Sequence, residues 1–208
     1  MGILDRVIKR TTNKLVRVNL SISSIQNFIT ERNYKSYLEL GVCQNYAFNG
    51  VNCEYKVGVD IKYPATYTMS TDEFFAQNTE KFDIIYIDAD HREVQLTKDI
   101  ENSLLILNEN GVILCHDCNP PCEEYQIDER MLWQTAWKAF SRYRIISPYK
   151  TYCINDGYGI GVIDTMYPAD KVVSIPGIDY ENLKYTDLQK HRTKILGLSG
   201  KDLSSILD

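Results

Sequence analysis

Glycine is missing where a dinucleotide loop would need it. A G-x-G-x-x-G turn wants three glycines, and this 208-residue chain reads Gly41-Val42-Cys43-Gln44-Asn45-Tyr46 at the matching place. A pyrophosphate must approach bare backbone at a helix N-terminus, so the shortage disfavours NAD-type ligands. Basic charge is short as well. Lys and Arg total 23 against 28 Asp and Glu, a net charge of -5, and a broad nucleic-acid surface needs the opposite field. No apolar run is long enough to span a bilayer, and no signal-like segment opens the chain, so no integral membrane part is expected. Arg6 occupies the position where a myristoylation signal needs Ser or Thr. Six cysteines do not make a disulfide scaffold at this length, and a reducing cytoplasm is the expected compartment. Cys115, Cys118 and Cys122 lack a second C-x-x-C pair, which weighs against structural zinc. With no repeat and no linker, residues 1–208 read as one domain.

What is present centres on Tyr37 to Asp60. An apolar run ends in Glu39 and Gly41, a polar turn and helix-length segment follow, and a second apolar run ends in Asp60. This spells strand, turn, helix and strand, the opening unit of a Rossmann-like sheet. Gly41 sits where the backbone must turn sharply. Asp60 stands at a strand end, where an acidic side chain bonds both hydroxyls of a ribose. A nucleoside without phosphates would relax the demand for glycine.

Before this unit, residues 1–32 read as a helix with a basic opening (Arg6, Lys9, Arg10, Lys14, Arg17). After it, Thr66 to Met69 is a weak strand, and Ser70-Thr71-Asp72-Glu73 is a capping box that opens a helix. Phe82 to Asp88 is a buried strand delivering Asp88-Ala89-Asp90-His91 to its C-terminal end. A helix over Glu93–Leu107 should bury Val94, Leu96, Ile100, Leu104 and Leu107, with Asn108 to Gly111 ending it. Gly111 to Cys115 then delivers His116-Asp117-Cys118-Asn119 to the same edge, the edge at which open α/β sheets bind ligands.

Residues 119–131 read as a lid-like loop after Pro120-Pro121. Leu132, Trp133, Ala136, Trp137 and Phe140 mark a helix, with both tryptophans assigned to the core. Tyr143 to Ile146 and Lys150 to Ile154 look strand-like. Asn155-Asp156-Gly157 is a hairpin turn into Tyr158 to Ile163, so the sheet should finish with a reversed strand. Residues 180–208 read as two short helices around Gly197 to Gly200.

Taken together, YLELGV, KVGVD, FDIIYIDADH, GVILCHDCNPP, WKAF, GYGIGVI and HRTKILGL resemble the class I S-adenosylmethionine-dependent methyltransferases. The likeness is to the bacterial branch found among genes for surface-polysaccharide or small-molecule modification. It implies a Rossmann-like α/β sandwich, with a mostly parallel seven-stranded sheet, a reversed last strand and helices on both faces. It also implies S-adenosylmethionine (SAM) as cofactor, with Glu39, Gly41, Val42, Asn45, Asp60, Ile61, Met69, Ser70 and Asp88 as its contacts. Many members carry another glycine near Asn45; Asn tolerates left-handed backbone better than most residues.

Two routes remain open for deprotonating a hydroxyl acceptor. In one, His91 or His116 is the general base, with Asp88 and Asp117 beside them. In the other, Asp88, Asp117 and His116 hold a divalent cation, magnesium or manganese, as the resemblance to catechol O-methyltransferase-like enzymes implies. The expected reaction is O-methylation of a small-molecule acceptor such as a sugar or secondary metabolite, and a homodimer is a compatible assembly. Two rivals stand beside it: a nucleoside-binding scaffold of the same fold without catalysis, and an NAD-dependent oxidoreductase.

Overall fold

Strands covered on both faces have no side left for water and appear in sequence as unbroken apolar runs. In the computed structural model, which describes residues 3–62, 64–127, 135–155, 158–170 and 174–199, those runs form the middle of one sheet. β1 (Ser36–Leu40), β2 (Tyr55–Asp60), β4 (Phe82–Ile87) and β5 (Leu107–Cys115) run parallel, with the short β3 (Tyr67–Thr68) beside β2. β7 (Ile160–Pro168) lies antiparallel between β5 and β6 (Tyr149–Ile154), and β8 (Leu198–Ser199) pairs with β6 at the edge. The order is β3-β2-β1-β4-β5-β7-β6-β8. The reversed strand is present, but it is inserted inside the sheet, and an eighth short strand extends the expected seven.

Successive residues of a strand face opposite ways, so each strand feeds two cores. Tyr37, Ile84, Tyr86, Val112 and Leu114 meet Ile25 and Ile29 of α1 (Ile3–Arg32). Leu38, Leu40, Ile85, Ile87 and Ile113 meet the other layer, built by α4 (Glu93–Ile106), α6 (Ala136–Ile146) and α7 (Tyr185–Leu196). α3 (Thr71–Gln77) contributes Phe74; α2 (Tyr46–Gly50) and α5 (Glu124–Ile127) are single short turns. Buried Cys115, Cys118 and Cys153 fill the second core, where burial raises their thiol pKa values.

Several expectations are corrected. Val94 is 73% exposed, so it lies outside the buried stripe of α4. Asn108 to Gly111 belongs to β5, with Asn110 at φ +62° and a register shift against β4. Tyr143 to Ile146 closes α6: Trp137, Phe140, Ser141 and Arg144 are buried together at helical spacing, and this overrides the β-propensity of the segment. The segment after Gly41 gives only the five-residue α2. Among the described residues of the tail, a 3-10 turn at Tyr180–Asn182 precedes α7, which is capped by Gly197 at φ +62° and followed by β8; a second helix after Gly200 would lie outside them. Trp137 is in the core as expected. Trp133, Asp156-Gly157, residues 200–208 and the side chains of the basic opening of α1 lie outside the described residues.

A largely buried ion pair ties α1 to β7. Arg32, at the end of α1, meets Asp164 of β7 in a two-pronged contact of 2.8 and 2.6 Å. The guanidinium is flanked by the rings of Phe28, Tyr34 and Tyr167. Removing one partner strands the other charge in the interior. Arg32→Ala should therefore lower the unfolding free energy in urea by about 3 kcal/mol or more; a loss within ~0.5 kcal/mol, the size typical of surface changes, would contradict this account of the pair.

Candidate active site

The parallel strands end along one edge, and Gly41 brings two of those ends together. Its φ is +90°, and a Cβ there would lie 2.3 Å from the Asp88 carbonyl oxygen and 2.5 Å from the Ala89 Cα. Gly41 N–H donates to Val59 at 2.7 Å, and Asp88 N–H donates to Leu40 at 2.8 Å. Only glycine permits so close an approach of the turn after β1 to the tip of β4. Cys43 and Asn45 follow at φ +46° and +61°, so Asn45 takes up the left-handed backbone that glycine would otherwise supply. Its side-chain amide donates to the Pro64 carbonyl at 2.6 Å and ties this loop to the one after β2.

Asp60 lies beside the Gly41 turn. Its carboxylate accepts from Cys43 N–H at 2.7 Å and Lys62 N–H at 2.8 Å, one bond to each oxygen. A carboxylate oxygen accepts more than one bond, so a neighbouring diol fits the same group. Val42 is buried and Ile61 is 70% exposed at the strand end. Met69 N–H donates to the Asp60 carbonyl, and its sulfur accepts from Gln77. Ser70 is fully engaged in a capping box with Glu73: its side chain and its backbone N–H both bond Glu73, and its carbonyl accepts from Phe74 N–H. Glu39 is different: it is 1% exposed beneath the edge, accepts from the Tyr37 hydroxyl at 2.5 Å, and burial pushes its carboxyl up to about 8.

The tips of β4 and β5 carry four polar side chains in an alternating circuit. Asp88 Oδ1 lies 2.7 Å from His116 Nδ1 and 3.0 Å from His91 Nε2. Asp117 closes it, with Oδ1 3.4 Å from His116 Nε2 and Oδ2 3.8 Å from His91 Nδ1. Asp117 holds φ +54° to reach this place. His91 and Asp117 are buried, while the His116 side chain is 21% exposed. Burial opposes ionisation of Asp88, but the imidazoles, His116 foremost, outweigh it and hold its carboxyl well below the usual carboxylate range.

If Asp88 accepts from both rings, the protons sit on His116 Nδ1 and His91 Nε2. Both basic nitrogens then face Asp117, an assignment that follows from the hydrogen-bond network. The site residues read from sequence are therefore brought together as a group. Among the described residues, the potential metal-binding set takes His91 where Asp117 was expected: donor atoms of Asp88, His91 and His116 lie within 4.8 Å of one another, with Asp117 alongside. Asn119 turns away to Asn155 and Arg192.

Residues 33–118 match the family model of a methyltransferase domain. An O-methyltransferase from Bacillus cereus, solved with S-adenosylhomocysteine, superposes with a TM-score of 0.53 at 13% identity, covering 79% of this chain and 92% of its own. The fold is the one these methyltransferase structures share, and the methyltransferase-domain match lies over residues 33–118. A Staphylococcus aureus structure described as a caffeoyl-CoA O-methyltransferase gives a TM-score of 0.52 at 17% identity, over 75% and 91% of the two chains. A Podospora anserina methyltransferase bound to S-adenosylhomocysteine gives 0.50 at 16%, over 69% and 76%. These likenesses speak for the fold. No curated protein sequence matches this chain.

Glu39 supplies a pH test. Burial holds its folded pKa at about 8, above the ordinary carboxyl value of about 4.5, so the native state keeps a proton that the unfolded chain has lost. The stabilisation is complete below about pH 4.5 and disappears as pH rises through about 8. Relative to Glu39→Gln, the wild type should lose on the order of 3 kcal/mol across that window. Urea unfolding at a series of pH values measures it, and parallel profiles would refute a buried, protonated Glu39.

Proposed function

We propose that this protein is a SAM-dependent methyltransferase of class I that moves the methyl group of SAM to an oxygen of a small hydroxylated acceptor, such as a sugar or a secondary metabolite. One observation carries the reading: the Gly41 turn rests on the backbone of Asp88, which sets the nucleoside crevice beside the paired histidines. SAM, when bound, supplies a methyl group on a sulfonium. Asp60 would hold the ribose hydroxyls. Ile61 and Met69, with Ser70 at the start of α3, would flank the adenine, and Gly41, Val42 and Asn45 would accommodate the amino-acid tail.

His116, the more exposed of the two imidazoles, is assigned as general base. Asp88 holds its Nδ1–H and so presents Nε2 to the acceptor hydroxyl. Buried His91 braces Asp88 and Asp117. Asp88, His91 and His116 would also fit a divalent cation; one carboxylate with two imidazoles suits manganese or zinc better than magnesium. Such an ion would make the hydroxyl more acidic. The base route is preferred because a cation there would displace both protons that Asp88 receives. No helix among the described residues is long and apolar enough to cross a membrane. We place the protein in the cytoplasm as one catalytic domain, in the bacterial branch that modifies surface polysaccharides or small molecules.

Calorimetry should show S-adenosylhomocysteine binding in the micromolar range, about -8 kcal/mol, and NADH binding far more weakly. Absence of binding at millimolar ligand would overturn the proposal. In turnover assays against hydroxylated acceptors, His116→Ala should lower kcat by roughly 100-fold with the affinity for S-adenosylhomocysteine retained. Activity that survives chelation supports the base route, and its loss supports the cation. Binding without any turnover, indifferent to His91→Ala and His116→Ala, would favour the inactive scaffold.

A further inference from the structure

The turn that carries His116 and Asp117 is held by an element far away in sequence. Directly after Asp117, Cys118 N–H donates to the Gly159 carbonyl at 2.9 Å and Asn119 N–H to the Tyr158 carbonyl at 2.5 Å. Gly159, at φ +85°, has no room for a Cβ, which would lie 2.4 Å from the Asn119 Cβ. From the other side comes α7. Arg192 donates to the Asn119 side-chain oxygen, to the Pro120 carbonyl at 2.8 Å and to the Tyr185 hydroxyl at 2.9 Å. That hydroxyl donates in turn to the Pro121 carbonyl at 2.9 Å. The Asn119 amide completes the set with Asn155 at 3.0 Å.

Two features show that α7 is shaped for this contact. Its helical geometry breaks at His191, with φ -131° and ψ 21°, one residue before Arg192. Helix kinks have local causes, and this one falls where the chain turns its arginine onto the loop. The last turn of α7 is pinned too: the guanidinium of buried Arg144 donates to the carbonyls of Ile195 and Thr151. α7 is thus fixed through Arg144 to β6 at its last turn, and it grips the loop after β5 with Arg192 one turn earlier and with Tyr185 at its first residue. The three acceptors of Arg192 named above are all uncharged, so the side chain works as a fork that reads loop geometry.

We infer that Arg192 is a positioning residue, setting His116 and Asp117 in register with Asp88 and His91 by gripping Asn119, Pro120 and, through Tyr185, Pro121. The inference rests on reading that turn as the methyl-acceptor site. The circuit tolerates little displacement, since Asp117 already stands 3.4 and 3.8 Å from its two histidines, and a shift of ~1 Å at such a site can cost 100-fold in rate.

The chain has only three histidines, so imidazole nitrogen NMR resolves each of them, with single His→Gln variants for assignment. In Arg192→Ala the His116 titration midpoint should move by about 0.5 pH unit or more, with an altered tautomer pattern. The affinity for S-adenosylhomocysteine should stay within about threefold, and kcat should fall by roughly tenfold or more. Arg192→Lys, which keeps the charge without the fork, should recover only part of this. Should Arg192→Ala fail to fold, Asn119→Ala removes the same grip from the loop side. An unchanged His116 midpoint and tautomer in the variant that folds overturns the inference, with or without turnover. Wild-type protein that binds no S-adenosylhomocysteine would instead undo the methyl-transfer reading, and the spectrum would still judge the grip.

Discussion

The arrangement depends on one steric fact: the turn after β1 can touch the tip of β4 only because Gly41 has no side chain. Any Cβ at that point would enter the Asp88 backbone, and φ +90° is closed to most other residues. The contact sets how far the Asp60 crevice lies from the Asp88–His116 pair. It therefore couples two strand ends that a looser turn would leave independent. Asn45 then does with a carboxamide what a second glycine does elsewhere, accepting a left-handed backbone and stitching the turn to Pro64.

Around that contact the charges are layered by depth. Glu39 lies deepest, and burial pushes its carboxyl up to about 8. Asp88, flanked by two imidazoles, is held in the opposite direction. Two carboxyl groups on neighbouring strands thus differ in protonation because one faces a phenol and a sealed core while the other faces two rings that can carry protons. Environments that push titratable groups apart are the usual means of dividing acid and base roles within one site.

Much of this was legible in the sequence, for a physical reason: unbroken apolar runs leave few choices for the central strands, and polar groups at their ends fall on one edge. Asp60, Asp88, His91, His116 and Asp117 emerged that way, as did the capping box at Ser70. Other features depend on tertiary context. Val94 has the right spacing for a core stripe, but α4 rotates it to the surface. Tyr143 to Ile146 looks like a strand until the buried guanidinium of Arg144 is seen reaching the carbonyls of Thr151 and Ile195. The place of His91 in the tight donor set, and the reach of Arg192 across 73 positions to Asn119, have no local signature. Both arise when distant segments are folded against each other.

The central claim is that a sulfonium nucleoside lies across the Gly41 turn with its reactive carbon toward His116. A crystal structure with S-adenosylhomocysteine tests this most directly. The account predicts the ribose hydroxyls on the Asp60 carboxylate and the sulfur facing the Asp88–His116 pair. A nucleoside seated elsewhere, or bound at this edge with its sulfur turned away from both histidines, would contradict it.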